Sequence, residues 1–176
     1  MKKLLKIFAV IVSLLTISIS AASAESPYPA TLENGVLICV DGGMGVGRYA
    51  DKDSVSVDKY APPFYELSID IFTVNFSEEY WKEHGNYIYS PYNISNTVRL
   101  YFRYNWDTKT IFHKQNDVWK VWDLNRHYSH ADGNPLIPYA AEVAFVSAYH
   151  MKFFDDKTGY DGYRVIDKVL YDALGI

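Results

Sequence analysis

Residues 64–75, FYELSIDIFTVN, alternate apolar and polar side chains with a period of two. In an extended chain Tyr65, Leu67, Ile69 and Ile71 point to one side and the polar residues between them to the other. This pattern is typical of a half-buried strand in an antiparallel sheet. The rest of the chain must therefore supply a layer that covers the apolar side, and this requirement limits the possible folds more than any other feature.

Residues 97–125, TVRLYFRYNWDTKTIFHKQNDVWKVWDLN, predict a three-stranded meander. Apolar and polar residues alternate from 98 to 104, residues 110–113 are extended, and residues 118–122 return. Polar turn residues separate the segments. Shorter strands are predicted at three earlier segments, before residues 62–63 (both Pro) interrupt pairing. Those segments are 36–40, 46–50 and 55–60. The side-chain chemistry of residues 51–54 predicts a turn between the second and third of them.

Two helices are predicted after the strands. Residues 139–153 are apolar on most sides, which indicates a buried helix with Pro138 in its first turn. Residues 163–174 place Ile166, Val169, Leu170 and Ala173 at helical spacing. Because strands come first and helices last, the predicted fold is α+β, an antiparallel meander sheet covered by two C-terminal helices.

The first 24 residues have the pattern of a secretory signal peptide, with lysines, an apolar core and a final Ala-Ser-Ala cleavage site. The apolar core is shorter than a spanning helix requires, which disfavours an uncleaved anchor. We expect a loosely ordered lead at 25–35 and one domain at 36–176. The predicted location is outside the cytoplasm, whether secreted, periplasmic or at the cell surface, with no stable membrane span after cleavage.

Charge and cysteine content argue against nucleic-acid binding and against a reactive thiol. The 176-residue chain has a net charge of −4, so nucleic acid is not an expected partner. Arg99 and Arg103 lie near Tyr101 and Tyr104, but cross-strand pairing on a solvated sheet face explains this cluster better than nucleic-acid binding. Cys39 is the single cysteine and stands in an apolar run, which predicts a buried, unreactive thiol.

The stretch DGGMGVGRY, residues 41–49, has the glycine spacing of a phosphate-binding loop. Such a loop requires Lys and then Ser or Thr after its last glycine, and it must open a helix. Arg48 and Tyr49 follow Gly47 instead, and the next residues are turn-rich and β-branched. We therefore predict a glycine connection between two strands, and no cofactor.

The loop RHYSHAD, residues 126–132, contains His127, His130 and Asp132. These side chains could bind Zn²⁺ or a similar ion, or provide acid-base chemistry. A solvated connection before a helix is the simpler interpretation. Glu142 and His150, two turns apart on the first predicted helix, are expected to be hydrogen-bonded polar groups rather than a catalytic pair.

Aromatic residues are abundant, with 16 Tyr, 9 Phe and 4 Trp. Rings of this kind pack on half-buried sheets, and they also form binding surfaces. Residues 86–96, NYIYSPYNISN, predict a tyrosine-rich loop. The candidate ligand-binding residues are Tyr87, Tyr89, Tyr92, Tyr101 and Trp106.

RYADKDSVSV, followed by FYELSIDIFTVN and the RYNWDTKTIF…VWKVWDL meander, resembles small exported bacterial proteins of unknown function, similar in layout to surface-adhesin-E-like families. The shared pattern is an aromatic residue, a small step, Asp, and then Ser-Val opening a strand, and it spans residues 36–123. This chain lacks the paired cysteines of those adhesins and has a more prominent apolar C-terminal helix. The resemblance implies a non-catalytic envelope or surface module, and it carries over no site residues.

Two functional hypotheses follow. The first is an exported, non-catalytic binding or structural module whose partner is an extracellular or envelope ligand, either protein or glycan. The second is a secreted metal-dependent or acid-base hydrolase that uses His127, His130 and Asp132. Stoichiometric metal in the purified protein would distinguish them.

Overall fold

The computed structural model describes residues 28–76, 94–122, 136–155, 157–158 and 165–176. Within them, a sheet of seven strands precedes two helices. The strands are β1 (Thr31–Leu32), β2 (Leu37–Gly43), β3 (Val46–Ala61), β4 (Phe64–Asn75), β5 (Ile94–Asn105), β6 (Thr110–Gln115) and β7 (Val118–Trp122), and the helices are α1 (Leu136–Tyr149) and α2 (Lys168–Leu174). No helix in these residues has the length and hydropathy needed to cross a bilayer.

Each strand pairs antiparallel with its neighbour in sequence, so the spatial order is β1 to β7. The predicted α+β fold with a meander sheet and two C-terminal helices is confirmed. On β4, Leu67, Ile69 and Ile71 are buried on the side that faces the helices, as the alternation predicts. We call this side of the sheet the inner face and the opposite side the outer face.

The predicted turn at residues 51–54 is wrong, because β3 continues through it to Ala61. The register with β4 shifts between Asp51 and Ser56, which marks a bulge. The Asp53 backbone N–H does donate to Asp51 Oδ1 at 2.9 Å, as turn chemistry predicts. The chain does not reverse there, because both ends of the segment pair with the same partner strand.

The first strand of the predicted three-stranded meander begins earlier than expected. β5 starts at Ile94, so residues 94–96, assigned to the tyrosine-rich loop, belong to a strand that pairs with β4. The remainder of that loop lies outside the described residues. The predicted strands at 110–113 and 118–122 are confirmed as β6 and β7, with β6 extending to Gln115.

Helix α1 is buried on most sides, as predicted, but it ends at Tyr149 rather than at residue 153. His150 has φ 54°, which the α-helix does not allow, and the chain turns back there. Phe153 and Phe154 therefore pack into the core as part of an irregular segment. Their rings touch at a centroid distance of 5.0 Å.

Helix α2 begins at Lys168, later than the predicted residue 163. Asp167 has extended backbone angles and its Oδ1 accepts from the Leu170 backbone N–H at 2.9 Å, so it caps the helix. Of the four apolar residues at helical spacing, Val169 does not face the core, since it is 62% exposed. Tyr171 is buried in its place, beside Leu170.

A second, smaller core lies on the outer face at the β2–β3 end of the sheet. Tyr28 and Leu32 cover Leu37, Tyr49 and Val74 there. The lead at 25–35 was expected to be loosely ordered. From residue 28 onward it instead contributes strand β1 and a buried tyrosine, because the sheet offers an apolar surface on this side as well.

Candidate functional site

No helix of the described residues packs on the outer face of β5, β6 and β7, and this face carries aromatic rings and cations together. Arg103 pairs with Phe112, and Phe112 pairs with Val121, so these residues form one row across the strands. Lys114 pairs with Trp119 in the next row. We call this surface the outer aromatic face, made up of Tyr101, Arg103, Phe112, Lys114, Trp119 and Val121.

Exposure differs sharply between the two sides of β5. Tyr101 is 40% exposed on the outer face, whereas its neighbours Phe102 and Tyr104 are buried under α1. Val121 on β7 is 53% exposed, and Phe112 and Trp119 are half-buried. The sheet therefore presents apolar and aromatic surface to solvent where an antiparallel sheet usually carries polar side chains.

The cations on and beside this surface are paired with carboxylates. Arg99 Nη1 lies 2.8 Å from Asp70 Oδ1, and Arg103 Nε lies 3.1 Å from Glu66 Oε1 on the adjacent strand. Lys114 Nζ lies 2.9 Å from an Asp117 carboxylate oxygen. The expectation of cross-strand pairing for Arg99 and Arg103 is confirmed. The surface consequently lacks the concentrated positive charge that phosphate backbones require.

Arg103 lies against one ring of the outer aromatic face and is also paired with a carboxylate. Its guanidinium carbon lies 4.0 Å from the centroid of the Trp119 ring, a cation–π contact between β5 and β7. Its Nε is engaged by Glu66, while its terminal nitrogens find no acceptor within the described part of the chain. The arginine is thus held in place and still has N–H groups to donate.

Tyr101 and Trp106, both predicted as ligand-binding residues, lie on opposite faces of the sheet. Trp106 stacks on Phe145 of α1 at 5.6 Å and 20°, and Lys109 Nζ lies 3.0 Å from its ring centroid. Its backbone N–H donates to Pro63 O at 2.8 Å. The structure places Tyr101 on the open surface and Trp106 against the core, so these two rings do not form one site.

The remaining predicted site residues lie outside the described residues. They are Tyr87, Tyr89 and Tyr92, and the metal or acid-base candidates His127, His130 and Asp132. In the ranges that the structure describes, no group of three His, Cys, Asp or Glu side chains is placed to hold a metal ion.

Arg103, Phe112 and Trp119 did not stand out in the sequence as binding residues. A usable signal was present in β5, where period-two alternation puts Tyr101 and Arg103 on the polar side. In VWKVW both sides of the strand are apolar, so alternation alone does not tell which tryptophan is exposed. The pairing of β7 with β6 settles this point, because Trp119 pairs with Lys114 and Trp122 with the buried Ile111.

Glu142 is a fully buried carboxylate on α1. It accepts from the backbone N–H of Phe153 at 2.9 Å and of Phe154 at 3.2 Å, and from the Tyr171 hydroxyl at 2.9 Å. Burial raises the pKa of Glu142 to about 7, although these hydrogen bonds act to lower it. The prediction of a hydrogen-bonded polar group is confirmed, and its partners tie α1 to the following segment and to α2.

His150 and Cys39 are less buried than Glu142. His150 is exposed and lies beyond the end of α1, so the prediction that it shares a helix with Glu142 is wrong. Cys39 is half-buried and unpaired by any disulfide. Burial raises the pKa of its thiol to about 11, which keeps it in the unreactive protonated form.

The glycine stretch at residues 41–49 forms a hairpin, as predicted. β2 ends at Gly43, β3 begins at Val46, and the residues between them, Met44 and Gly45, have φ angles of 53° and 80°. Positive φ at both central positions is the mark of a tight type I′ turn. The Gly45 backbone N–H donates to the Tyr28 hydroxyl at 3.0 Å, so this turn has a structural role.

Comparisons with protein-family models, curated proteins and solved structures find no match to this chain.

Proposed function

We propose that this protein is an exported, non-catalytic binding module of the bacterial envelope or cell surface, and that it contacts its partner through the outer aromatic face. The observation that supports the proposal is the aromatic surface of β5, β6 and β7, on which no helix of the described residues packs. Tyr101 is exposed there, Phe112 and Trp119 are half-buried, and the neighbouring cations are already paired. Export is inferred from the leader at residues 1–24.

The composition of this face fits recognition of a partner better than solvation alone. Antiparallel sheets normally place polar residues on the open side, and exposed aromatic clusters often mark ligand or partner surfaces. Tyrosine, tryptophan and arginine are also the residues that contribute most strongly to binding at interfaces. Tyr101, Arg103 and Trp119 bring these three types together across two strand spacings.

Replacing Trp119 or Tyr101 by alanine is expected to weaken binding to isolated bacterial envelopes at least about tenfold, since anchor rings contribute more than about 1.4 kcal/mol. The measurement is the fraction of purified protein that sediments with envelopes over a range of envelope concentrations. Tyr60→Ala is the matched control, because Tyr60 is 66% exposed but lies on the inner face. Thermal unfolding of each variant shows whether the fold is retained.

Two outcomes would contradict this proposal. In one, wild-type protein does not sediment with envelopes. In the other, it sediments equally well after Trp119→Ala and Tyr101→Ala, with folds intact, so that the outer aromatic face is not the contact surface.

The competing function is a secreted hydrolase centred on His127, His130 and Asp132. Under our proposal the purified protein contains no stoichiometric metal, and a His127→Ala/His130→Ala variant has the same metal content as wild type. Elemental analysis of both proteins after identical dialysis is the measurement. A stoichiometric ion that disappears in the double variant, with thermal unfolding unchanged, would favour the hydrolase.

A further inference from the structure

We infer that the outer aromatic face binds a neutral, extended, β-linked polysaccharide chain lying across β5, β6 and β7. This inference rests on the proposed binding function and specifies its ligand class. It depends on the spacing of Tyr101 and Trp119, on the neutralised charges, and on the hydrogen-bond donors that lie beside these rings.

Tyr101 and Trp119 lie at opposite ends of one row across the sheet. Tyr101 precedes Phe102, which pairs with His113, so Tyr101 lies beside Lys114, and Lys114 pairs with Trp119. The Lys114 ammonium is 5.7 Å from the Tyr101 ring centroid, which supports this placement. Two strand spacings place the backbones that carry the two rings about 10 Å apart. That separation is comparable to one disaccharide unit of an extended β-linked chain.

Aromatic rings suit the apolar surface of a sugar. The C–H groups on one side of a pyranose carry partial positive charge and pack against the negative face of an aromatic ring. Rings on a sheet are held by the strands beneath them, so little conformational entropy is lost on binding. Two such rings in one row would hold alternate sugar units of the same chain.

The charges of the face disfavour an anionic ligand. Arg103 is paired with Glu66 and Lys114 with Asp117, so each cation is already opposed by a carboxylate. A polyanion would have to displace these carboxylates and would meet a chain whose net charge is −4. A neutral glycan meets neither obstacle.

Arg103 supplies the polar part of the recognition. Its guanidinium lies against the Trp119 ring, and its terminal nitrogens have no acceptor within the described residues. An arginine whose N–H groups are fixed in direction is suited to bind adjacent hydroxyl oxygens of a sugar. Arg99 differs, because Ser68, Asp70 and Ser54 accept from its three guanidinium nitrogens.

The test is retention of the purified protein on three probes, namely amorphous cellulose, chitin and the polyanion polygalacturonate, at low and high salt. We expect retention on at least one neutral probe and no loss at high salt, because screening weakens only charge-based contacts. Trp119→Ala and Tyr101→Ala are expected to reduce retention at least about tenfold. Arg103→Met, which keeps an apolar stem, is expected to reduce it less, and Tyr60→Ala to leave it unchanged.

The outcomes separate this inference from the proposed function. If the protein sediments with envelopes in a Trp119-dependent manner but neither neutral polysaccharide retains it, the ligand is of another class, such as a protein, and the inference is wrong while the binding function stands. Salt-sensitive retention on polygalacturonate alone would also overturn it. If neither envelopes nor polysaccharides bind, both are wrong.

Discussion

In wild-type protein, the contribution of Glu142 to the free energy of unfolding is expected to fall as the pH rises from about 4.5 to about 7. Glu142→Gln should remove this pH dependence. The pKa of Glu142 is raised to about 7 in the folded protein, against 4.5 for an ordinary glutamate, because the carboxyl is buried. A raised carboxyl pKa means that folding favours the protonated form. Its stabilising contribution is complete below pH 4.5 and is lost as the pH rises through 7. The difference is about 3 kcal/mol.

The measurement is the free energy of unfolding by urea, for wild type and Glu142→Gln, over that pH range. His113, whose pKa is lowered mainly by burial, is present in both proteins, so its titration cancels in the difference. The backbone N–H groups of residues 153 and 154 each donate to one carboxylate oxygen of Glu142, and glutamine replaces one of these acceptors by a donor N–H₂ group. The resulting loss of stability is the same at every pH. Parallel curves for the two proteins would show that Glu142 does not titrate in this range.

Tyr171→Phe provides an independent check on the same group. The Tyr171 hydroxyl donates to Glu142 Oε1 at 2.9 Å and so favours the ionised carboxylate. Removing it should move the pKa of Glu142 further upward. The upper end of the pH range over which stability falls should then move to higher pH, while the lower end, set by the unfolded state, stays near 4.5. A shift to lower pH would contradict the assigned hydrogen bond.

Gly42→Ala is expected to lower the free energy of unfolding by about 1–3 kcal/mol, the usual cost of overpacking a filled site. A Cβ on Gly42 would lie 2.4 Å from Tyr28 Cδ2 and 2.7 Å from Tyr28 Cε2. The ring cannot withdraw easily, because Tyr28 is buried against Phe76 and its hydroxyl accepts from Gly45. Chemical unfolding of the purified variant is the measurement.

Gly43→Ala is the matched control for this prediction. A Cβ on Gly43 meets nothing within 4 Å, so stability should change by less than about 0.5 kcal/mol. In a Tyr28→Ala background the cost of Gly42→Ala should largely disappear, because the clashing ring is gone. Equal effects of the substitution at Gly42 and Gly43 would show that the contact with Tyr28 is unimportant.

Much of the sheet could be predicted because its signals are local. The alternation on β4 specifies which side is buried, and the glycines around Met44 permit the tight hairpin between β2 and β3. The same local signals argue against a phosphate-binding loop, because the glycine stretch is followed by strand β3 and not by the helix that such a loop requires. In each case a short stretch of residues contains the physical requirement that decides its structure.

The missed features depend on residues distant in the sequence. The Asp51–Ser54 chemistry suits a turn or a bulge equally, and pairing with β4 decides between them. Helix α1 ends early because Phe153 and Phe154 return to the core beside Glu142, which periodicity does not reveal. Trp106 was predicted as a binding ring, but its environment is set by Phe145, far along the chain.

The meander has a consequence for the order of folding. Every strand pairs with its neighbour in sequence. Apart from the long connection at residues 76–93 between β4 and β5, each hairpin closes a short loop and can form early at small entropic cost. Helix α1 must instead return across the whole sheet to reach β2 and β3. A growing chain would therefore complete most of its sheet while the inner face still lacks its cover, and during that interval the nascent protein is most prone to aggregation.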